Sequence, residues 1–260
     1  MEPITFDELR KIQCDILKDV ADFCENSGLR YMLAYGTLIG AVRHNGFIPW
    51  DDDIDIAMPR PDYDVFVNIF NNRSSCYRVI DISIDDNYSI PFAKVFDNRT
   101  WLNEFKYKED KYGVYIDIFP IDGVGGKMQM YKAQKLDKLL HAKKANFKNR
   151  SLFKNVLNSI VKVFLIPFSV NDILRLCDKN ARRYGFGTTS KAGNMLETYG
   201  ICEAVETSVF MNTVYHKFED YEFRIPVEYD KWLRGIYGDY MLLPPEEQQI
   251  AHHNFEVFWK

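Results

Sequence analysis

Between Thr5 and Ser27 the apolar positions Phe6, Leu9, Ile12, Ile16, Val20 and Phe23 recur at helical spacing. Thr5 and Glu8 stand where a capping box needs them, and Gly28 sits just past the end, so a helix is predicted over 5–27. Tyr31 to Tyr35 is a short apolar run that reads as a buried strand, and Gly36-Thr37 then opens a short helix over about 38–43. Asp53 to Met58 alternates acid and apolar with the period of a strand. Pro61 suits the first turn of a helix reaching about Phe70. Tyr77–Ile84 and Ile90–Asp97 read as paired strands around Asp85-Asp86-Asn87, and Gly113–Phe119 as a further alternating strand. Pro120, Gly123, Gly125 and Gly126 break the pattern, which places the main boundary there. The prediction is an α+β chain: a core of mixed strands and helices over 1–125, and a mainly helical part over 126–260 that packs on it.

Composition narrows the class. The chain is 260 residues long, 47% hydrophobic and 27% charged, which suits a folded domain and not a disordered one. Net charge is −4, against a nucleic-acid binder. Lysines nonetheless crowd between Lys127 and Arg150, where Asp137 is the single acid. That run is either a solvated helix face or a surface for an anionic partner. The segment 151–170 after it is the most apolar of the chain, and reads as a core helix or as one lying on a membrane surface. The five cysteines form no CxxC pair and the N-terminus has no signal-like apolar region, so a cytoplasmic protein without structural zinc is expected. No run is apolar and long enough to span a bilayer.

Candidate chemistry centres on Asp51-Asp52-Asp53-Ile54-Asp55. On a strand, Asp53 and Asp55 point the same way with Cα atoms ~6–7 Å apart. Converging carboxylates repel one another and call for a cation, and oxygen ligands without Cys or His favour Mg²⁺ or Mn²⁺. Asp51 shares their parity if the strand starts that early; Asp52 does not, and is expected at the surface or behind the site. Gly36 and Thr37 at a helix start suit a phosphate, through free N–H groups, close approach and a hydroxyl. Asp117, on the later alternating strand, can complete the metal site or act as a base. Arg43 and Lys94 are either ordinary surface charges or the groups that balance phosphate charge.

Gly-Thr, then Asp-x-Asp, then a third Asp on a later strand resembles the pattern of the nucleotidyltransferase superfamily. The run from Tyr35-Gly36-Thr37 through Arg43-His44-Asn45-Gly46-Phe47-Ile48-Pro49-Trp50 to Asp55-Ile56 is similar to the signature of the LicD family of phosphocholine transferases. The likeness continues at Ala93–Asp97, at Tyr115–Asp122, at Tyr237–Met241 with Pro244–Glu247, and at His252-His253. Residues 127–215 carry no part of it. The resemblance implies a nucleotidyltransferase-like mixed sheet flanked by helices. It also implies transfer of phosphocholine, or a related phospho-alcohol, from a CDP-activated donor to a hydroxyl of a cell-surface glycan such as a lipopolysaccharide or teichoic acid precursor. Asp53, Asp55 and Asp117 would then be the catalytic and metal-holding residues, and Gly36, Thr37, Arg43, Lys94 and His252 would bind substrate. Work at the inner face of the membrane is implied as well.

Two other readings stay open. The same residues would serve transfer of NMP from an NTP to a small molecule or sugar, or a non-catalytic module binding a cation or glycan. Pyrophosphate release marks the first, and metal binding without turnover the second.

Overall fold

The computed structural model of the chain describes residues 2–104, 112–144, 167–196, 199–250 and 255–260. Most of the apolar 151–170 segment, and the pair His252-His253, lie outside the described residues.

Helix α1 (Phe6–Ser27) begins at the predicted capping box and ends at Gly28, whose φ of 66° is the left-handed geometry glycine tolerates. Its inner face places Ile16, Leu17, Val20 and Cys24 at 0% exposure. Each aliphatic side chain so buried contributes about 1.5–3 kcal/mol to holding the helix on the sheet.

That sheet has β2 (Met32–Leu33) at one edge, then β3 (Asp55–Pro59), β7 (Tyr115–Val124), β5 (Ala93–Asp97) and β4 (Tyr77–Ile80). β3 and β7 run parallel and the other pairs antiparallel, so the sheet is mixed. With helices α2 (Tyr35–His44) and α3 (Arg60–Ile69) between the strands, the α+β class holds. β4 and β5 are shorter than predicted, because the chain turns away at Asp81, whose carboxylate accepts from Ser83 N–H and Tyr63 Oη.

β7 is the spine of the molecule. It runs through Pro120 and Gly123, where a break was expected. Pairing to β5 ends at Ile118, and pairing to β8 (Lys191–Asn194) begins at Ile121. Pro120 falls between the two pairings, where its missing N–H costs no bond on that side. A Cβ on Gly123 would stand 2.5 Å from Gly185 O, so the glycine serves close packing and not a turn.

Beyond residue 126, α4 (Lys127–Lys144) packs against α5 (Val170–Ala181) through Met130, Ala133, Leu136 and Leu140 facing Ile173, Leu174 and Cys177. This part, expected to be mainly helical, also carries strands. β8 continues the sheet and pairs with β9 (Val205–Glu206). A hairpin joins β10 (Thr213–Phe218) to β11 (Tyr221–Pro226), and α6 (Tyr229–Tyr237) follows it. β12 (Phe255–Trp259) lies between β1 (Glu2–Pro3) and β6 (Thr100–Glu104) in a small second sheet.

Candidate active site

Strand register builds the centre of the site. Asp55 on β3 pairs with Asp117 on β7, and Asp117 pairs with Lys94 on β5. The three side chains therefore form one row across the sheet. Lys94 Nζ donates to Asp117 Oδ1 at 2.5 Å and lies 3.4 Å from the Tyr115 ring centroid. Lys94 thus neutralises an aspartate of the row from within the protein.

The strand begins at Asp55, so Asp53 sits on the extended segment just before it and not on the strand itself. Asp53 nevertheless lines the same cavity of about 1240 Å³ as Asp51, Asp55 and Asp117. Asp52 is buried, at 3% exposure, and lies outside that lining. Ligand oxygens of Asp51, Asp52 and Asp53 come within 4.8 Å of one another, a spacing a cation could draw together. Of that trio, only Asp51 and Asp53 face the space a substrate would enter.

Electrostatics singles out the same group. Burial, and then the neighbouring charges of Asp53, Asp117 and Asp51, push the Asp55 carboxyl well above the usual carboxylate range, against the opposing pull of Lys94. Burial, followed by the charge and hydrogen bonding of Asp53, raises Asp51 to about 8. The pull of Lys94 on Asp55 and of Arg10 on Asp51 is outweighed by burial and by the mutual charge of the carboxylates, a balance that a divalent ion would relieve.

The acidic loop is held from behind by its main chain. Arg10 Nη2 donates to the carbonyls of Ile48, Pro49 and Asp51 at 2.9, 3.0 and 2.7 Å. Gln13 Nε2 donates to Asp52 O at 2.9 Å. From the hairpin turn, Glu219 Oε1 accepts from Phe47 N–H at 2.9 Å.

Helix α2 starts against the cavity, with Tyr35 and Gly36 in its lining and no side chain capping its N-terminus. A Cβ on Gly36 would stand 2.7 Å from Asp51 Oδ2, so glycine is what lets the carboxylate approach. Thr37 is 2% exposed, and its Oγ1 accepts from Asp55 N–H at 2.8 Å. Its hydroxyl therefore ties the helix to β3 and fixes where Asp55 begins. Arg43 lines the cavity and donates through Nη1 to Tyr240 O at 2.6 Å, which holds the 240–242 segment over the opening.

The structure thus brings Gly36, Arg43, Asp53, Asp55 and Asp117 to one cavity and sets Thr37 and Lys94 just behind it. It adds Tyr35, Phe119 and Asp239, which lie in the family-like motifs without an expected role, and Asp137 and Tyr199, which lie outside them. Asp137 comes from α4, where it was merely the one acid among lysines. Tyr35 carries an uncommon φ of 46° at the very start of α2.

A sequence profile described as the LicD/FKTN/FKRP nucleotidyltransferase domain matches residues 28–160, which include the acidic loop and Asp117. The lipopolysaccharide cholinephosphotransferase LicD of Haemophilus influenzae is 32% identical over 99% of both chains. The human ribitol 5-phosphate transferase FKRP is 46% identical over 39 residues, 15% of this chain and 8% of its own length. An uncharacterised protein of Rickettsia typhi is 27% identical over 45% of the chain. With the profile covering half of the sequence and a relative matched end to end, the chain belongs to the LicD family.

Proposed function

We propose that the protein transfers phosphocholine, or a closely related phospho-alcohol, from a CDP-activated donor to a hydroxyl of a cell-surface glycan of the lipopolysaccharide or teichoic acid type. The observation that carries this is the group of carboxylates lining a large cavity, in a chain similar along its whole length to a cholinephosphotransferase. Asp53, Asp55 and Asp117 are the proposed holders of Mg²⁺ or Mn²⁺, with Asp51 beside them. The fit rests on hard oxygen donors alone and on carboxyls whose mutual charge Lys94 and Arg10 offset only in part. When bound, such an ion neutralises the donor diphosphate and the departing CMP.

The chain's own residues do the positioning. The open N-terminus of α2 at Gly36 suits a donor phosphate, and Thr37 acts through Asp55. Arg43 adds positive charge at the opening. In-line attack by the acceptor hydroxyl on the distal phosphorus then needs orientation more than covalent help.

The test is a screen of purified protein with Mg²⁺, an acceptor glycan and several CDP-alcohols, reading CMP. CMP release that EDTA abolishes is expected. Pyrophosphate release from an NTP, with no turnover of any CDP-alcohol, would overturn the reading in favour of NMP transfer.

Peripheral contact with the inner face of a membrane is part of the proposal. Lys127, Lys132, Lys135 and Arg183 line a second cavity of about 480 Å³, beside exposed Met128 and Tyr131. Cationic and apolar groups on one surface suit anionic lipid. Among the described residues no helix is long and apolar enough to cross a membrane. Flotation with anionic liposomes at low salt tests the contact, and protein left at the bottom of the gradient rejects it.

A further inference from the structure

We propose that the aromatic wall formed by Phe119, Tyr35, Tyr199 and Tyr237 is the head-group subsite, and that it selects a quaternary ammonium over a polyol. The inference rests on the proposed function and names the part of the donor that this wall reads.

The rings form a continuous chain. Phe119 and Tyr35 meet edge to face with centroids 5.1 Å apart, Tyr35 and Tyr199 at 6.0 Å, and Tyr199 and Tyr237 at 5.8 Å. All four line the cavity that holds Asp53, Asp55 and Asp117. The wall starts beside the carboxylates: Phe119 lies two residues beyond Asp117 on β7, on the same strand face, and Tyr35 precedes Gly36. A phosphate held at Gly36 would therefore set a head group on a short ethylene linker against the rings.

Tyr35 and Phe119 are buried where the wall joins the core, and the other two rings are not. Tyr199 is 56% exposed and Tyr237 36%, although each packs against a neighbouring ring. Tyr35 has its hydroxyl turned away: Oη donates to Glu203 Oε1 at 2.7 Å and accepts from Asn194 Nδ2 at 3.1 Å, with Glu203 at 0% exposure. A phenol that donates to a carboxylate carries more electron density on its ring, and the ring is what remains toward the cavity. Asp137, Asp239 and Glu247 line the same cavity and make it favourable to a cation.

The chemistry of the wall decides between head groups. A trimethylammonium has no hydrogen bonds to lose and is attracted by aromatic faces. Ribitol or glycerol carries no charge for the ring faces to attract, and would lose hydration on the side that lies against them. The competing occupant is the cytosine ring of the donor, which would stack on the same faces.

Steady-state kinetics of Tyr199→Ala and Tyr237→Ala with CDP-choline and CDP-glycerol, joined to calorimetry with phosphocholine and with CMP, tests the proposal. We expect the KM for CDP-choline to rise ~3–30-fold relative to that for CDP-glycerol, in line with the loss of one cation–π contact. Phosphocholine affinity should fall in parallel and CMP affinity should not. Tyr199→Phe and Tyr237→Phe keep the ring and should restore most of the preference, which separates ring contact from misfolding. Weakened CMP binding with unchanged phosphocholine binding would assign the wall to the base and overturn the proposal. Equal loss for both donors would overturn it too. Should the wild type turn over no CDP-alcohol, the proposed function fails, and the calorimetry still judges the subsite: phosphocholine bound by the wild type and lost in Tyr199→Ala supports it, and no binding rejects it.

Discussion

β7 carries two aspartates five positions apart, and they live in opposite surroundings. Asp122 is 0% exposed and receives both of its bonds from Arg60, at 2.8 and 2.6 Å. Arg60 also reaches Asp178 on α5, so the pair ties α3, β7 and α5 together. Asp117 also has a cationic partner, Lys94, but that lysine acts on Asp55 as well, and Asp51 and Asp53 line the same cavity. One end of the strand is balanced and closed; the other is overloaded and open. Residue type and strand are the same, so the difference lies in the unbalanced charge. That imbalance costs stability in the empty protein and makes sense where a cation belongs.

The contrast can be broken at either end. Asp55→Asn should reduce transfer by more than the ~10–100-fold typical of groups that only orient a metal ligand, while the thermal midpoint of the metal-free protein holds or rises because repulsion is relieved. Near-normal turnover in a metal-dependent assay would remove Asp55 from the site. Asp122→Ala should do the reverse. Leaving the Arg60 guanidinium buried without its main partner should cost about 3–5 kcal/mol of stability, with kcat of the folded fraction little changed. Chemical denaturation measures this, and a loss below 1 kcal/mol would show that Asp178 alone satisfies the arginine.

Gly36→Ala puts a methyl 2.7 Å from Asp51 Oδ2. It should lower turnover ~10–100-fold by displacing that carboxylate, the range seen when ligand-orienting contacts are lost. Full activity would mean that Asp51 can move without consequence.

The smallest effect is on pH dependence. Asp51 is raised from 3.8 to about 8 and Glu203 from 4.5 to about 7. A carboxyl raised in the folded state lends stability that is full below its unfolded value and is lost as pH rises through its folded value. The metal-free protein should therefore melt lower at pH 9 than at pH 6. Mg²⁺ at the site would compete with the proton on Asp51, so its stabilising shift should be larger at pH 9. Equal Mg²⁺ shifts at the two pH values would separate the ion from Asp51.

Much of the site could be read from local pattern. Alternation put Asp55 and Asp117 on strands, and the register that makes them neighbours follows once β3 and β7 pair. The capping box and Gly28 marked α1 because caps are chemistry within a few residues. What stayed hidden depends on contacts distant in sequence. Lys94 reads as a free cation until its register opposite Asp117 is known. Thr37 reads as a phosphate donor until its bond to Asp55 N–H is seen. Asp137, Tyr199 and Asp239 reach the cavity only because the later helices and loops fold back over β7. The hairpin of β10 and β11 stayed hidden because Val214 and Tyr215 are both exposed and only Phe218 is buried, so β10 lacks a clean alternation.

Arg10 and Gln13 grip the acidic loop by carbonyl oxygens and not by side chains. The clamp is therefore indifferent to which residues occupy 48 and 51, two positions that line the cavity. Substitutions there can change the chemistry at the cavity edge while the loop keeps its path. A site held in this manner is open to drift toward new donors, because its scaffold and its vocabulary are carried by different atoms.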